Sequence, residues 1–415
     1  MASRWRTSYQ KLENYLKATP AIKIEPQSVF IPQDVKDTFY SHFDDVRNDF
    51  LGEHFAGEIS LGNEISTRFK DLEAEVTGML NIKNEVRIAA PLRWFVKDPV
   101  NGMNRPLLAL LFDLLKGKLD EDTFEESAIN QIKELFEKQF SAAYEKMVIL
   151  SLIKWLQPTQ ALTMPLDDLN LYSSSQEGDS QYERINMPPD LYDMKEMIFD
   201  YAGRVSYLAP EVIVYSPVVK KYVGIKTGFI GVAWHARFVS EDREWIDQAP
   251  FHKVFTHLNP WPNIMIYLDD SAENIKMVAD KTRLCRPEWI IDTVAMRDFF
   301  NEKSISRIKA HNEMLKPFLG TAVVSREEAP AEAYEVLMPE PTLQTDNQED
   351  TAGGKGGNQN VISEDASAAE TPVQIELQEE ESEKSLIQIT TTGYDYDLLA
   401  EVFSSLLNKE TSPAE

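Results

Sequence analysis

VIVYSPVVKKYVGIKTGFIGVAWHARFVS, residues 212–240, is where the chain changes its period. Upstream, apolar residues recur every three to four positions, the spacing of a helix face. Here they alternate and cluster as in strands, with β-branched and aromatic residues dominating. Residues 212–215, 222–225 and 230–239 read as strands, the first two joined around Lys220 and Lys221. A chain that is helical before this point and strand-bearing after it is expected to be α+β.

Working upstream, residues 120–156 form the longest helical pattern. Phe124, Ile132, Leu135, Phe136, Phe140, Tyr144, Met147 and Val148 line one side, and Asp120, Glu121 and Asp122 suit the positive end of a helix dipole. Pro158 ends it. Residues 33–81 carry two further stripes: Phe39, Phe43, Val46, Phe50 and Phe55, then Ile65, Phe69, Leu72, Val76 and Met79. Pro106 opens a short apolar helix, while residues 86–96, with Pro91 inside, read as β-like or irregular. At the start, Trp5, Tyr9, Leu12 and Leu16 at helical spacing among Arg4, Arg6, Lys11 and Lys17 read as a basic amphipathic arm or as a helix packed on the core.

Working downstream, 263–268 and 321–325 read as strands, and 191–204, 271–283 and 288–315 as helices. From Arg326 the composition shifts to Glu, Ala, Pro, Thr, Gln and Asn, too poor in apolar residues to offset the entropy of ordering. Helical spacing returns in Leu399, Val402, Phe403 and Leu406. The expected organisation is a basic arm at 1–32, a helical lobe at 33–157, a loop at 158–189 and an α+β lobe at 190–326. A disordered acidic linker at 327–392 and an amphipathic docking helix at 393–410 complete it. The expected fold class is thus a helix-rich N-terminal lobe, a mixed α/β C-terminal lobe and a disordered acidic C-terminal tail.

The chain has 415 residues and a formal net charge of −26. Residues 327–415 hold 21 acidic and three basic side chains, a net of −18, which leaves −8 for the rest. That balance excludes a generally basic nucleic-acid coat but not a local basic site. The one cysteine, Cys285, permits no intrachain disulfide and fits a reducing compartment, so a cytoplasmic location is expected. No apolar run approaches the ~20 residues of a membrane span.

Three constellations could carry function. Within 212–240 there is no acid, and Lys220, Lys221, Lys226 and Arg237 alternate with rings including Trp234. Cations for phosphates and rings for bases are what single-stranded nucleic acid needs; the alternative is a buried sheet with lysines at a hairpin end. The second is the acidic tether ending in an apolar helix face, Leu399, Val402, Phe403 and Leu406. It either docks in a partner's groove or folds back on its own core.

The third is IYLDDSAENI at 266–275, a strand running into two carboxylates before a helix. It resembles the last acidic motif of the haloacid-dehalogenase-like phosphohydrolases, a DDSxxN string. The resemblance implies that Asp269 and Asp270 help hold Mg²⁺. That family's nucleophile stands in an upstream DxD strand end, and none precedes residue 269. The other reading is that Asp270 or Ser271 caps the following helix.

No GxGxxG, GxxxxGK[ST] or HExxH is present. The expected function is therefore that of a non-enzymatic assembly or adaptor protein, self-assembling or binding a protein partner through its terminal helix, with no cofactor. In organisation it looks like viral nucleocapsid proteins, which pair a two-lobed core with an acidic disordered tail and a terminal recognition helix. The alternative is a Mg²⁺-dependent phosphohydrolase-like enzyme using Asp269 and Asp270. Expected partners are a protein, a second copy of the chain, or nucleic acid, and no membrane.

Overall fold

The computed structural model describes residues 3–163, 191–199, 210–227, 263–275, 286–338 and 386–407. Helix α1 (Arg4–Ala18) buries Trp5, Tyr9 and Leu12, one face at i, i+4 and i+7. It lies along α2 (Lys36–His54), with the Trp5 ring 5.7 Å from Phe50 and 5.2 Å from Phe124. Glu53 of α2 caps it, accepting from the Arg4 amide at 2.8 Å and the Trp5 amide at 3.3 Å. Arg6 grips Glu121, Asp122 and Glu125 at 2.6–3.1 Å. The first helix is therefore part of the core, not an arm. A small hairpin, β1 (Lys23–Glu25) and β2 (Ser28–Phe30), connects it to α2.

The phenylalanine stripes form α2 and α3 (Ala56–Met79) as their spacing predicts. Residues 86–96 do not form a strand. Pro91 sits in the first turn of α4 (Ala90–Lys97), where its missing amide costs nothing. Then come α5 (Pro99–Met103) and α6 (Arg105–Leu115). The central helix α7 (Glu121–Leu156) starts where Asp120 accepts from the Thr123 amide at 2.7 Å. Its C-terminal half is buried nearly all round, because it is sandwiched between the other helices and the sheet.

The sheet order is β10-β9-β8-β7-β6-β5-β3-β4. Its strands are β3 (Gln160–Thr163), β4 (Tyr192–Asp193), β5 (Val212–Ser216), β6 (Lys221–Thr227), β7 (Ile264–Asp269), β8 (Trp289–Val294), β9 (Gly320–Ser325) and β10 (Ile387–Thr391). Strands β8, β9 and β10 run parallel and the other pairings are antiparallel. Val212, Val214, Ile264, Ile266, Trp289, Ile291, Ala322 and Val324 join one core with α7. Ile290, Asp292 and Val294 alternate to the other face, as the pleat requires. There α8 (Glu302–Leu315) and α9 (Ala331–Leu337) cover Val294, Val323, Ile387 and Ile389. The architecture is mixed α+β, with the sheet covered on both faces.

Residues 288–315 are not one helix: the β-branched run Trp289-Ile-Ile-Asp-Thr-Val294 is a strand, and α8 starts later, where Asn301 accepts from the Ser304 amide at 3.0 Å. Residues 191–199 hold the edge strand β4, not the start of a helix. The linker 327–392 is not disordered throughout, since 331–337 is helical and 387–391 is a sheet strand. The terminal helix spans Tyr396–Leu407 and is α10 here. Of the loop expected at 158–189, residues 160–163 form strand β3 instead and 164–189 lie outside the described residues, as do the expected strand at 230–239 and the middle of the tail, 339–385.

Candidate functional site

The C-terminal module, residues 386–407, is a strand, a tight turn and a helix seated on the rest of the chain. Strand β10 adds to the edge of β9 in parallel, Ile389 beside Val323 and Thr391 beside Ser325. The Thr321 amide donates to the Leu386 carbonyl at 2.9 Å, and the Thr392 amide to the Ser325 carbonyl at 2.9 Å. Ile387 and Ile389 are buried under α8 and α9. Gly320 makes the approach feasible: it has φ +116°, and a Cβ there would lie 2.5 Å from the Leu386 carbonyl oxygen.

At Gly393, φ +58°, the chain turns to the opposite face. Asp395 accepts from the Asp397 amide at 2.8 Å and so caps α10. Leu399, Val402, Phe403 and Leu406 are all buried in the core that contains α7. Phe403 packs 5.9 Å from the Trp155 ring, and the Lys154 ammonium lies 4.3 Å over the Tyr396 ring. Tyr144 hydroxyl meets Thr392 hydroxyl at 3.2 Å. The Arg326 guanidinium lies 5.8 Å over the Tyr394 ring and 5.2 Å over Phe140. Burial pushes the Tyr394 hydroxyl up to about 12, against the opposing charge of Arg326. The module thus grips the β9 edge from both faces. The four apolar residues that the sequence marks for a partner are, in this arrangement, covered by the chain's own α7.

The basic window is divided. Lys226 is only 3% exposed and forms a buried ion pair with Glu211, which also accepts from the Thr227 amide at 2.6 Å. It is not on the surface, and a nucleic-acid role for it is withdrawn. Its strand position faces the covered side of the sheet, where an ammonium must be paired. Lys220 is exposed in the left-handed hairpin turn, φ 57°, and Lys221 is half-buried beside it. Trp234 and Arg237 lie outside the described residues.

The DDSxxN string folds as a cap. Asp269 accepts from the Ser271 amide at 2.9 Å and from the Asn274 side chain at 2.8 Å, and Ser271 accepts from the Glu273 amide at 3.3 Å. Asp270 points to solvent. Among the described residues, no three His, Cys, Asp or Glu side chains gather where they could hold a metal ion.

One polar pair escapes sequence reading. Asp292 on β8 and His311 on α8 are each 1% exposed and joined at 2.9 Å through Nδ1. Burial pushes the Asp292 carboxyl up, but the charge and hydrogen bond of His311, aided by Arg307, outweigh it and hold it below its ordinary value. Nearby, Asn263 accepts from the Thr293 amide at 2.9 Å and donates to Glu145 of α7 at 2.9 Å, linking sheet and helical lobe. His311 lies 19 positions from Asp292, and no local pattern joins them.

No protein-family model, curated protein or solved structure matches this chain. Among the described residues, no helix is long and apolar enough to cross a membrane.

Proposed function

We propose that this chain is a non-enzymatic assembly or adaptor protein of the cytoplasm that works by docking its C-terminal strand and helix. One observation carries the reading. After a 47-residue stretch, 339–385, the chain returns with a segment that makes two standard peptide-recognition contacts at once, a strand added to a sheet edge and an apolar helix laid in a groove. The core therefore has a receptor, formed by the β9 edge and the face of α7 bearing Tyr144 and Trp155. Leu399, Val402, Phe403 and Leu406 are the anchors of the ligand. Lys220, exposed in the turn between β5 and β6, is what the reading keeps for nucleic acid, a minor part of the proposal.

The phosphohydrolase alternative has no observation in its favour, because Asp269 already serves Ser271 and Asn274.

A labelled peptide of residues 386–407 tests the reading. Titrated against full-length chain carrying Phe403→Asp, whose own module is weakened, it is expected to bind saturably. The same peptide with Phe403→Asp should bind about tenfold more weakly or worse, since it would bury a carboxylate. Wild-type chain should gain mass with concentration in light scattering. No peptide binding, together with a strict monomer at every concentration, overturns the proposal.

A further inference from the structure

We propose that the receptor on one chain accepts the C-terminal module of a second copy, so that chains assemble by exchanging residues 386–407. This rests on the docking reading above and names its partner.

The groove itself argues for the occupant. Its demands are specific: a strand entering beside Gly320 with a carbonyl where Leu386 places one, apolar residues at 387 and 389 on one face, and a turn at Gly393. It also takes a Phe against Trp155 on the other face. Residues 386–407 meet every one of these, and every other copy of this chain carries the same segment. Exchange would therefore reproduce all the contacts seen within one chain, with nothing lost at the interface.

Reach permits it. The 47 residues between Met338 and Leu386 can span at most roughly 160 Å, at about 3.3–3.6 Å per residue. A folded chain of this length is roughly 55 Å across, by the usual scaling of compact size with length. The module can thus reach the receptor of a neighbour without its own core unfolding. The balance between own-chain and cross-chain docking is set by concentration, because tethering fixes the local concentration of the module while the neighbour's rises with protein.

Charge sets the direction of a second dependence. Each copy carries −26, so two copies repel, and screening lowers that cost. Exchange between copies is expected to increase with salt, the reverse of what a basic partner would show.

Full-length chains in a Cys285→Ser background test this. Lys154 and Tyr396 face each other at 4.3 Å across the docking contact. A double variant, Lys154→Cys with Tyr396→Cys, reports docking within one chain by reaction with a short bis-maleimide. A mixture of the two single variants reports docking between chains. The expected result is internal cross-linking in the double variant and a covalent heterodimer in the mixture. The heterodimer yield should rise with protein and salt, and fall about tenfold or more when Phe403→Asp is added to the Tyr396→Cys chain. Internal cross-linking with no heterodimer at any concentration overturns exchange and leaves docking standing. No cross-link in either sample overturns both.

Discussion

Asp292 and His311 show how a single buried pair ties the outer helix to the sheet. The carboxylate is held below its ordinary value in the folded chain, while in the unfolded chain it titrates near 3.9. Its stabilisation is therefore fully present above about pH 4 and is lost as pH falls through the lower folded value. Asp292→Ala should cost about 3–5 kcal/mol near neutrality, since it strands a buried partner. It should also remove the part of the acid-side slope that this carboxyl contributes. Urea unfolding from pH 7 down to pH 3 reads both effects, and an unchanged slope would contradict the assignment. This pair was invisible in the sequence because Asp292 sits in an apolar strand and His311 on a helix that faces it only after folding. Lys226 was misread for a related reason. Sequence shows a cation among rings, but only the strand pairing shows that Glu211 lies beside it.

At the scale of elements, long periodic segments were legible and short ones were not. Helix α7 could be read from its stripe and its acidic first turn, and β5, β6, β7 and β9 from β-branched runs. Strand β8 was absorbed into the following helix because Trp289-Ile-Ile lacks a turn signal before the Asn301 cap. Strand β10 was missed because Ile387-Gln-Ile-Thr-Thr is five residues long and sits in acidic, low-apolar surroundings. The apolar stripe of α10 was legible, whereas its receptor, built from Tyr144, Trp155 and Ser325, is assembled from distant segments. Gly320 is the element-level test. Gly320→Ala places a Cβ against the Leu386 carbonyl and in a left-handed conformation, a strain of about 1–3 kcal/mol. The expected outcome is faster amide exchange in β10 with little change in α1 to α7. Equal protection of β10 in both proteins would show that the close approach does not matter.

Across the whole molecule, α7 joins a helical lobe to a covered sheet, and the chain's own end pairs with the β9 edge. The module pairs the β9 edge and fills the apolar groove beside it, so the sheet ends at β10 instead. The same geometry makes the edge a receptor, which is why protection and assembly are proposed to be one device. The strong acidity of residues 327–415, a net of −18, bears on how freely copies approach rather than on the fold of the core.

Residues 386–407 dock as a unit on β9 and α7. Hydrogen exchange of the full-length chain, wild type against Phe403→Asp, tests it most directly. The expected result is slow exchange at 387–391 and at 399–406 in the wild type, and loss of protection at both together in the variant, with α7 still protected. Exchange at 387–391 as fast as in an unstructured peptide, in the wild-type chain, would contradict it.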